Sequence, residues 1–139
     1  MLRLIKNIVD YFHSIKIYFF KFSFVGLSGI IVNEGLLALL TEIFSLEIKW
    51  AGIIAIESSI ISNFLLNYYW TWRDKLKKPF LVCCFNYHSI AFISGSINYL
   101  ILIGLTAIGL NHLIANLIGI AIGTLINFLF SHHWTFKSI

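Results

Sequence analysis

The sequence predicts an all-α membrane protein. Four transmembrane helices form two tandem helical hairpins of the same orientation, preceded by an interfacial amphipathic helix. Three observations carry this reading. First, 59% of the 139 residues are hydrophobic and only 12% are charged, against about 25% charged in soluble domains. A soluble fold of this length has too much surface to hide so much hydrocarbon. Second, Phe80 to Phe136 contains no Lys, Arg, Asp or Glu. Third, the stretch from Asn63 to Arg73, NFLLNYYWTWR, returns at an offset of 64 residues as NFLFSHHWTFK, from Asn127 to Lys137. A repeat of that length marks two copies of one structural unit, an arrangement common among membrane transport proteins.

Residues 1–20 read as the interfacial helix. Arg3, Lys6, Asp10, His13 and Lys16 interrupt Leu2, Ile5, Ile8, Val9, Phe12, Ile15 and Phe19. Apolar residues at three- and four-residue intervals make one helical stripe, suited to the membrane surface. A cleavable signal peptide would show a continuous apolar core and a small-residue cleavage site instead. Residues 21–139 then form a single four-helix domain, with repeat one over 21–74 and repeat two over 79–139, and no room for a second domain.

The first span is expected over Phe22–Ile43 and the second over Trp50–Trp70, with Glu42, Glu47 and Lys49 in the break. One span needs about 20 residues, so the uncharged interval from Phe80 holds two. Asn111-His112, preceded by Gly109, is the expected turn between them. Nine of the 10 basic residues lie in the N-terminal segment, in the loop Arg73–Lys78 or at Lys137; Lys49 is the exception. The positive-inside rule then places both termini and the central loop in the cytoplasm of a multi-pass cell-membrane protein. Anionic headgroups account for the basic excess, and no nucleic acid is implied.

Each repeat carries matching faces. In its second helix, Ala55, Ser59, Asn63, Asn67 and Trp70 correspond to Gly119, Gly123, Asn127, Ser131 and Trp134. In its first helix, Gly26, Gly29 and Asn33 correspond to Ala91, Ser94 and Asn98. Small residues let helices approach closely in lipid and amides bond between them, so these faces are expected to form the seam between the hairpins. Asn33, Asn63, Asn67, Asn98 and Asn127 are also candidates for a polar track; helix packing is the competing reading.

Glu34 and Glu57 have no counterparts, the equivalent positions being Tyr99 and Ala121. In a tight hairpin they would differ in depth by on the order of 4 Å at 1.5 Å per residue. Ionisable groups inside a membrane point to function, which makes these two candidates for proton coupling; neutral hydrogen-bonded acids are the alternative. Trp70 and Trp134 supply an aromatic rim. The adjacent Cys83 and Cys84 read as small buried hydrophobes. The sequence holds no nucleophile–base pair, metal-ligand spacing or glycine-rich phosphate loop, so neither enzymatic chemistry nor a cofactor or metal is implied.

Lys21-Phe22-Ser23-Phe24-Val25-Gly26, Asn33, the stretch Asn63–Trp72, Asn127–Phe130 and Trp134-Thr135-Phe136 together resemble the GtrA-like family over about residues 20 to 137. The resemblance implies a small four-helix membrane protein that flips a polyprenyl-phosphate-linked hexose for cell-surface polysaccharide glycosylation. A similar module is fused to some dolichol-phosphate mannose synthases. The family commonly has Arg after the second Asn of the motif. Tyr68 and His132 stand there in this chain, and Ser131 replaces the second Asn of repeat two. Phosphate or headgroup binding then falls to Arg73, Lys137, Lys21 and neighbouring lysines. Expected partners are the lipid-linked sugar and membrane lipids. A homodimer that builds the pathway at its interface is left open. Two other readings stand beside translocation: a membrane anchor or activating partner of a polyprenyl-phosphate glycosyltransferase, and a small proton-coupled exporter using Glu34.

Overall fold

The computed structural model describes residues 2–136, with side chains from His13 onward except Leu113. All regular structure among these residues is helical. Helix α1 (Leu2–Ala38) ends in a π-helical turn, Leu39–Ile43. Helix α2 (Ile48–Leu66) ends in a second, Asn67–Thr71. After a 3₁₀ turn at Arg73–Lys75 come α3 (Phe80–Ala107) and α4 (His112–Phe130), which runs into a third π turn, Ser131–Thr135. The chain divides into two compact units, Met1–Arg73 and Asp74–Ile139. Each is one antiparallel hairpin, α1 on α2 and α3 on α4.

Among the described residues, four segments are long and apolar enough to cross a membrane: His13–Ile43, Ile48–Thr71, Phe80–Ala107 and Ile114–Thr135. The first begins earlier than the expected Phe22 and, at 31 residues, exceeds the roughly 20 that one crossing needs. No backbone break separates the expected interfacial segment from the first span, since α1 is continuous from Leu2. Most side chains of that amphipathic stripe lie outside the described residues.

Large apolar side chains cover the outer surface: Phe24, Ile31, Leu81, Phe85 and Phe92 are all more than three-fifths exposed. Such a surface is unfavourable in water and natural against acyl chains. The buried set is instead mostly small or aromatic, with Val25, Ala51, Ala55, Phe64 and Trp72 in the first unit and Cys83, Ile90, Ala115, Phe128 and Phe136 in the second. Where lipid supplies no hydrophobic driving force, close backbone approach does the packing.

The two hairpin turns share a left-handed residue but close with different backbone hydrogen bonds, Leu46 N–H to the Leu40 carbonyl at 2.9 Å in the first. Gly109 has φ 92° and Ser45, at the equivalent position, has φ 51°. In the second hairpin the Leu110 N–H donates to the Leu105 carbonyl at 3.0 Å and the Gly109 N–H to the Thr106 carbonyl at 3.0 Å. This is the left-handed helix ending that glycine adopts without steric cost. Ser45 takes the same region with a Cβ, at roughly 1–2 kcal/mol.

The expected seam is corrected by the structure. The small-residue faces pack inside each hairpin: the Ser59 hydroxyl donates to the Gly29 carbonyl at 2.9 Å. A Cβ on Gly29 would fall on the Asn63 amide, and one on Gly119 on the Asn98 side chain. Helical spacing reveals which residues share a face, but not which neighbour the face meets.

The rim of each face also differs from expectation. In the π turns the Trp72 N–H reaches back five residues to the Asn67 carbonyl, and the Phe136 N–H to the Ser131 carbonyl, both at 2.9 Å. A five-residue turn is wider than the α-helical four. The buried line therefore passes from Asn67 to Thr71 and from Ser131 to Thr135, all four 0% exposed, while Trp70 and Trp134 turn outward at 44% and 46%.

Candidate functional site

Each hairpin holds a polar groove at equivalent positions of the repeat. In the first, Gly26, Gly29, Asn33 and Glu34 of α1 face Ser59 and Asn63 of α2 across about 300 Å³. In the second, Ala91, Ser94, Gly95 and Asn98 of α3 face Gly123, Thr124 and Asn127 of α4 across about 200 Å³. Apart from Glu34, whose counterpart Tyr99 does not line the second groove, these are equivalent positions of the repeat. A small residue sits where the helices approach, and an amide on each helix closes the groove.

The amides are poised rather than satisfied. The Oδ1 atoms of Asn33, Asn63 and Asn98 and the Ser94 hydroxyl are buried with no hydrogen-bond partner among the described residues. Leaving such a group unpaired costs about 1–3 kcal/mol, so groups of this kind call for an explanation in a ligand or bound water. Asn33 donates its Nδ2 to Glu34 Oε1 at 3.2 Å, which leaves its carbonyl oxygen as an acceptor. Asn127 Oδ1 accepts from the Ser131 hydroxyl at 3.1 Å, which leaves its amide nitrogen as a donor.

The expected polar track is thus brought together in two sets, Asn33 with Asn63 and Asn98 with Asn127. Asn67 lines neither groove and is wholly buried at the start of the π turn. Glu34 lines the first groove and also a cavity of about 360 Å³ shared with Thr41 and Glu42 near the hairpin turn. Glu57 is exposed and lines neither groove.

The open ends of the hairpins carry the cations and aromatics. In the first, Trp72 stacks on Tyr18, with centroids 6.3 Å apart and planes at 4°, and is tilted against Phe22 at 5.8 Å. In the second, Phe136 meets Tyr87 at 6.2 Å, the equivalent of the Trp72–Phe22 contact. Lys21 Nζ lies 5.7 Å over the Trp70 ring, a cation–π distance. Arg73 is exposed, and Lys137 lies outside the described residues.

Two lysines that the sequence pattern did not single out stand at the second open end. Lys75 Nζ is 3.3 Å from His132 Nε2, and Lys78 donates to the Trp134 carbonyl. Burial holds the Lys75 ammonium below the ordinary lysine value, and Asp74 offsets this only in part. The sequence signal was present in the Arg73–Lys78 cluster, but nothing in it separated buried from solvated cations. Thr124 was also overlooked. It stands where repeat one has Ile60, a difference visible on aligning the two copies.

A duplicated helical hairpin with a lipid-facing surface and a polar groove in each copy defines a multi-pass membrane protein. Residues 21–136 match the model of the GtrA/DPMS transmembrane domain, and the chain belongs to that family. A protein of Pyrococcus furiosus named dolichol-phosphate mannosyltransferase is 35% identical over 118 residues. The match covers 85% of this chain and 33% of the relative, so the chain spans a third of that protein's length.

Proposed function

We propose that this chain flips a polyprenyl-phosphate-linked hexose across the cytoplasmic membrane, for glycosylation of a cell-surface polysaccharide. One observation carries the reading: a groove lined by an amide from each helix, with at least one buried amide oxygen unpartnered, occurs twice at equivalent positions within otherwise apolar helices. Moving a sugar through hydrocarbon strips its hydroxyls of water, which is prohibitive unless other polar groups replace it. Asn33, Asn63, Asn98 and Asn127 are such groups, and the polyprenyl tail stays in lipid. The charge distribution supports cytoplasmic termini and a cytoplasmic central loop. There Arg73, Lys21, Lys137 and the Lys75–Lys78 pair gather the phosphate. Glu34, lining the first groove, is the group placed to couple movement to protons; Glu57 lacks that placement. The chain contributes no bond-making step in this reading.

A second reading has the chain anchor or activate a polyprenyl-phosphate glycosyltransferase. The longer relative named as a mannosyltransferase favours it, because the matched segment is only a third of that protein. The separating experiment compares wild type with Asn63→Leu/Asn127→Leu in proteoliposomes holding labelled polyprenyl-phosphate hexose. Translocation predicts transfer by the wild type alone and at least a tenfold slower rate in the double variant. An equal rate in a folded double variant removes the grooves from the path. Transfer only in complex with a transferase favours the second reading.

A further inference from the structure

The two grooves share their positions but not their chemistry. In the first hairpin the serine stands on α2, and the Ser59 hydroxyl is engaged by the Gly29 carbonyl at 2.9 Å. In the second the pair is exchanged: Ser94 stands on α3 and Gly123 on α4. A Cβ on Gly123 would come 3.0 Å from the Ser94 carbonyl, so the backbones meet there without a hydroxyl between them. The Ser94 side chain lines the groove, is 5% exposed, and its hydroxyl has no partner among the described residues.

The remaining differences point the same way. Ile30 and Ile60 of the first groove become Gly95 and Thr124 in the second. Glu34 gives way to Tyr99, which is exposed and does not line the groove. The second groove therefore has no ionisable lining residue. Its lining holds the Asn98 amide, whose Oδ1 is buried against Gly119, a donor at the Asn127 amide nitrogen, and two hydroxyls that do either. The first groove instead carries a carboxylate, and its unpartnered buried atoms are both amide oxygens.

We propose that the groove of the second hairpin, built on Ser94, Asn98, Thr124 and Asn127, is a binding subsite for an uncharged polyhydroxylated ring, and that the first groove is not its equivalent. Hydroxyls both donate and accept, so an uncharged lining that offers both serves them without burying a charge, whereas the first groove adds a carboxylate that only accepts when ionised. The volume of about 200 Å³ equals roughly six or seven waters at ~30 Å³ each, on the order of one monosaccharide ring. That this ring is the hexose of a polyprenyl phosphate rests on the translocation reading; the neutral hydroxyl chemistry does not.

The test uses the full chain in lipid nanodiscs and two probes, a short-chain polyprenyl phosphate bearing glucose and the same phosphate without it. The readout is the ratio of their affinities. Gly95→Ile/Thr124→Ile installs the side chains that the first hairpin holds at these positions. It is expected to lower the ratio about tenfold, the scale of one or two lost hydrogen bonds, leaving affinity for the sugar-free probe unchanged. Ser94→Ala, which removes one hydroxyl and little volume, gives a smaller drop in the same direction. Ile30→Gly/Ile60→Thr in the first hairpin leaves the ratio within about twofold. A ratio unmoved by Ser94→Ala and by the double variant overturns the proposal, as does an equal drop from the first-hairpin changes. Failure of the translocation reading is distinguishable: the wild type would then prefer the glucose probe through this groove yet carry none between leaflets.

Discussion

The Ser59 hydroxyl donates to the Gly29 carbonyl at 2.9 Å, tying α1 to α2 near the middle of the first hairpin. The contact exists because Gly29 has no side chain, and the Asn63 amide occupies the space a Cβ would need. Gly29→Ala is therefore expected to destabilise the first hairpin by about 1–3 kcal/mol, the usual cost of overpacking a tight contact. Gly26→Ala, whose Cβ would meet nothing within 4 Å, should be close to neutral. Thermal unfolding in detergent, followed by far-ultraviolet circular dichroism, compares the two; similar losses would contradict the contact.

Trp72 and Trp70 are two residues apart and in opposite environments, at 0% and 44% exposed. Trp72→Ala removes a ring packed on Tyr18 and Phe22 and is expected to cost about 3–5 kcal/mol. Trp70→Ala removes an outward ring and should cost much less. An α-helical continuation would reverse that order, so the pair also tests the π turn.

Much of this was legible in the sequence. The repeat predicted two equivalent hairpins, and Gly109 marked the second turn. The π turns were not legible, because in a wider turn only the four-residue step stays on the face and the three-residue step leaves it, and spacing alone does not say which applies. That is why Trp70 and Trp134 were placed with the inward residues and Thr71 and Thr135 were not. Asn33, Asn63, Asn98 and Asn127 were recognisable as a set from the repeat. Their division into two grooves depends on which helix each face meets, and spacing does not encode it. Likewise nothing near Glu34 and Glu57 indicated that only Glu34 lines a groove.

The two turns predict opposite responses to the same chemistry. Ser45→Gly relieves a side chain from φ 51° and Gly109→Ala imposes one at φ 92°. The first should stabilise its hairpin and the second destabilise, each by about 1 kcal/mol. Unfolding midpoints that move the same way in both variants would contradict the turn geometry.

Lys75 predicts a pH dependence. Burial lowers its pKa below the ordinary 10.5, so between the folded value and 10.5 the unfolded chain binds more protons than the folded one. Stability therefore rises with pH through that window and falls as pH drops toward the folded value. Lys75→Met removes the desolvated charge and should flatten the rise. Amine acylation followed by mass spectrometry should modify Lys75 at lower pH than a free lysine side chain. Onset at the ordinary lysine value would contradict the burial.

The most direct measurement is leaflet-resolved transfer by the protein alone. Vesicles are loaded with a polyprenyl-phosphate hexose in one leaflet, and the sugar reaching the other is scored with a membrane-impermeant oxidant. Translocation predicts that purified wild-type chain makes the label of the inner leaflet reactive, faster than in protein-free vesicles and without any transferase present. Label that stays protected, with protein demonstrably folded and inserted, would contradict the central claim.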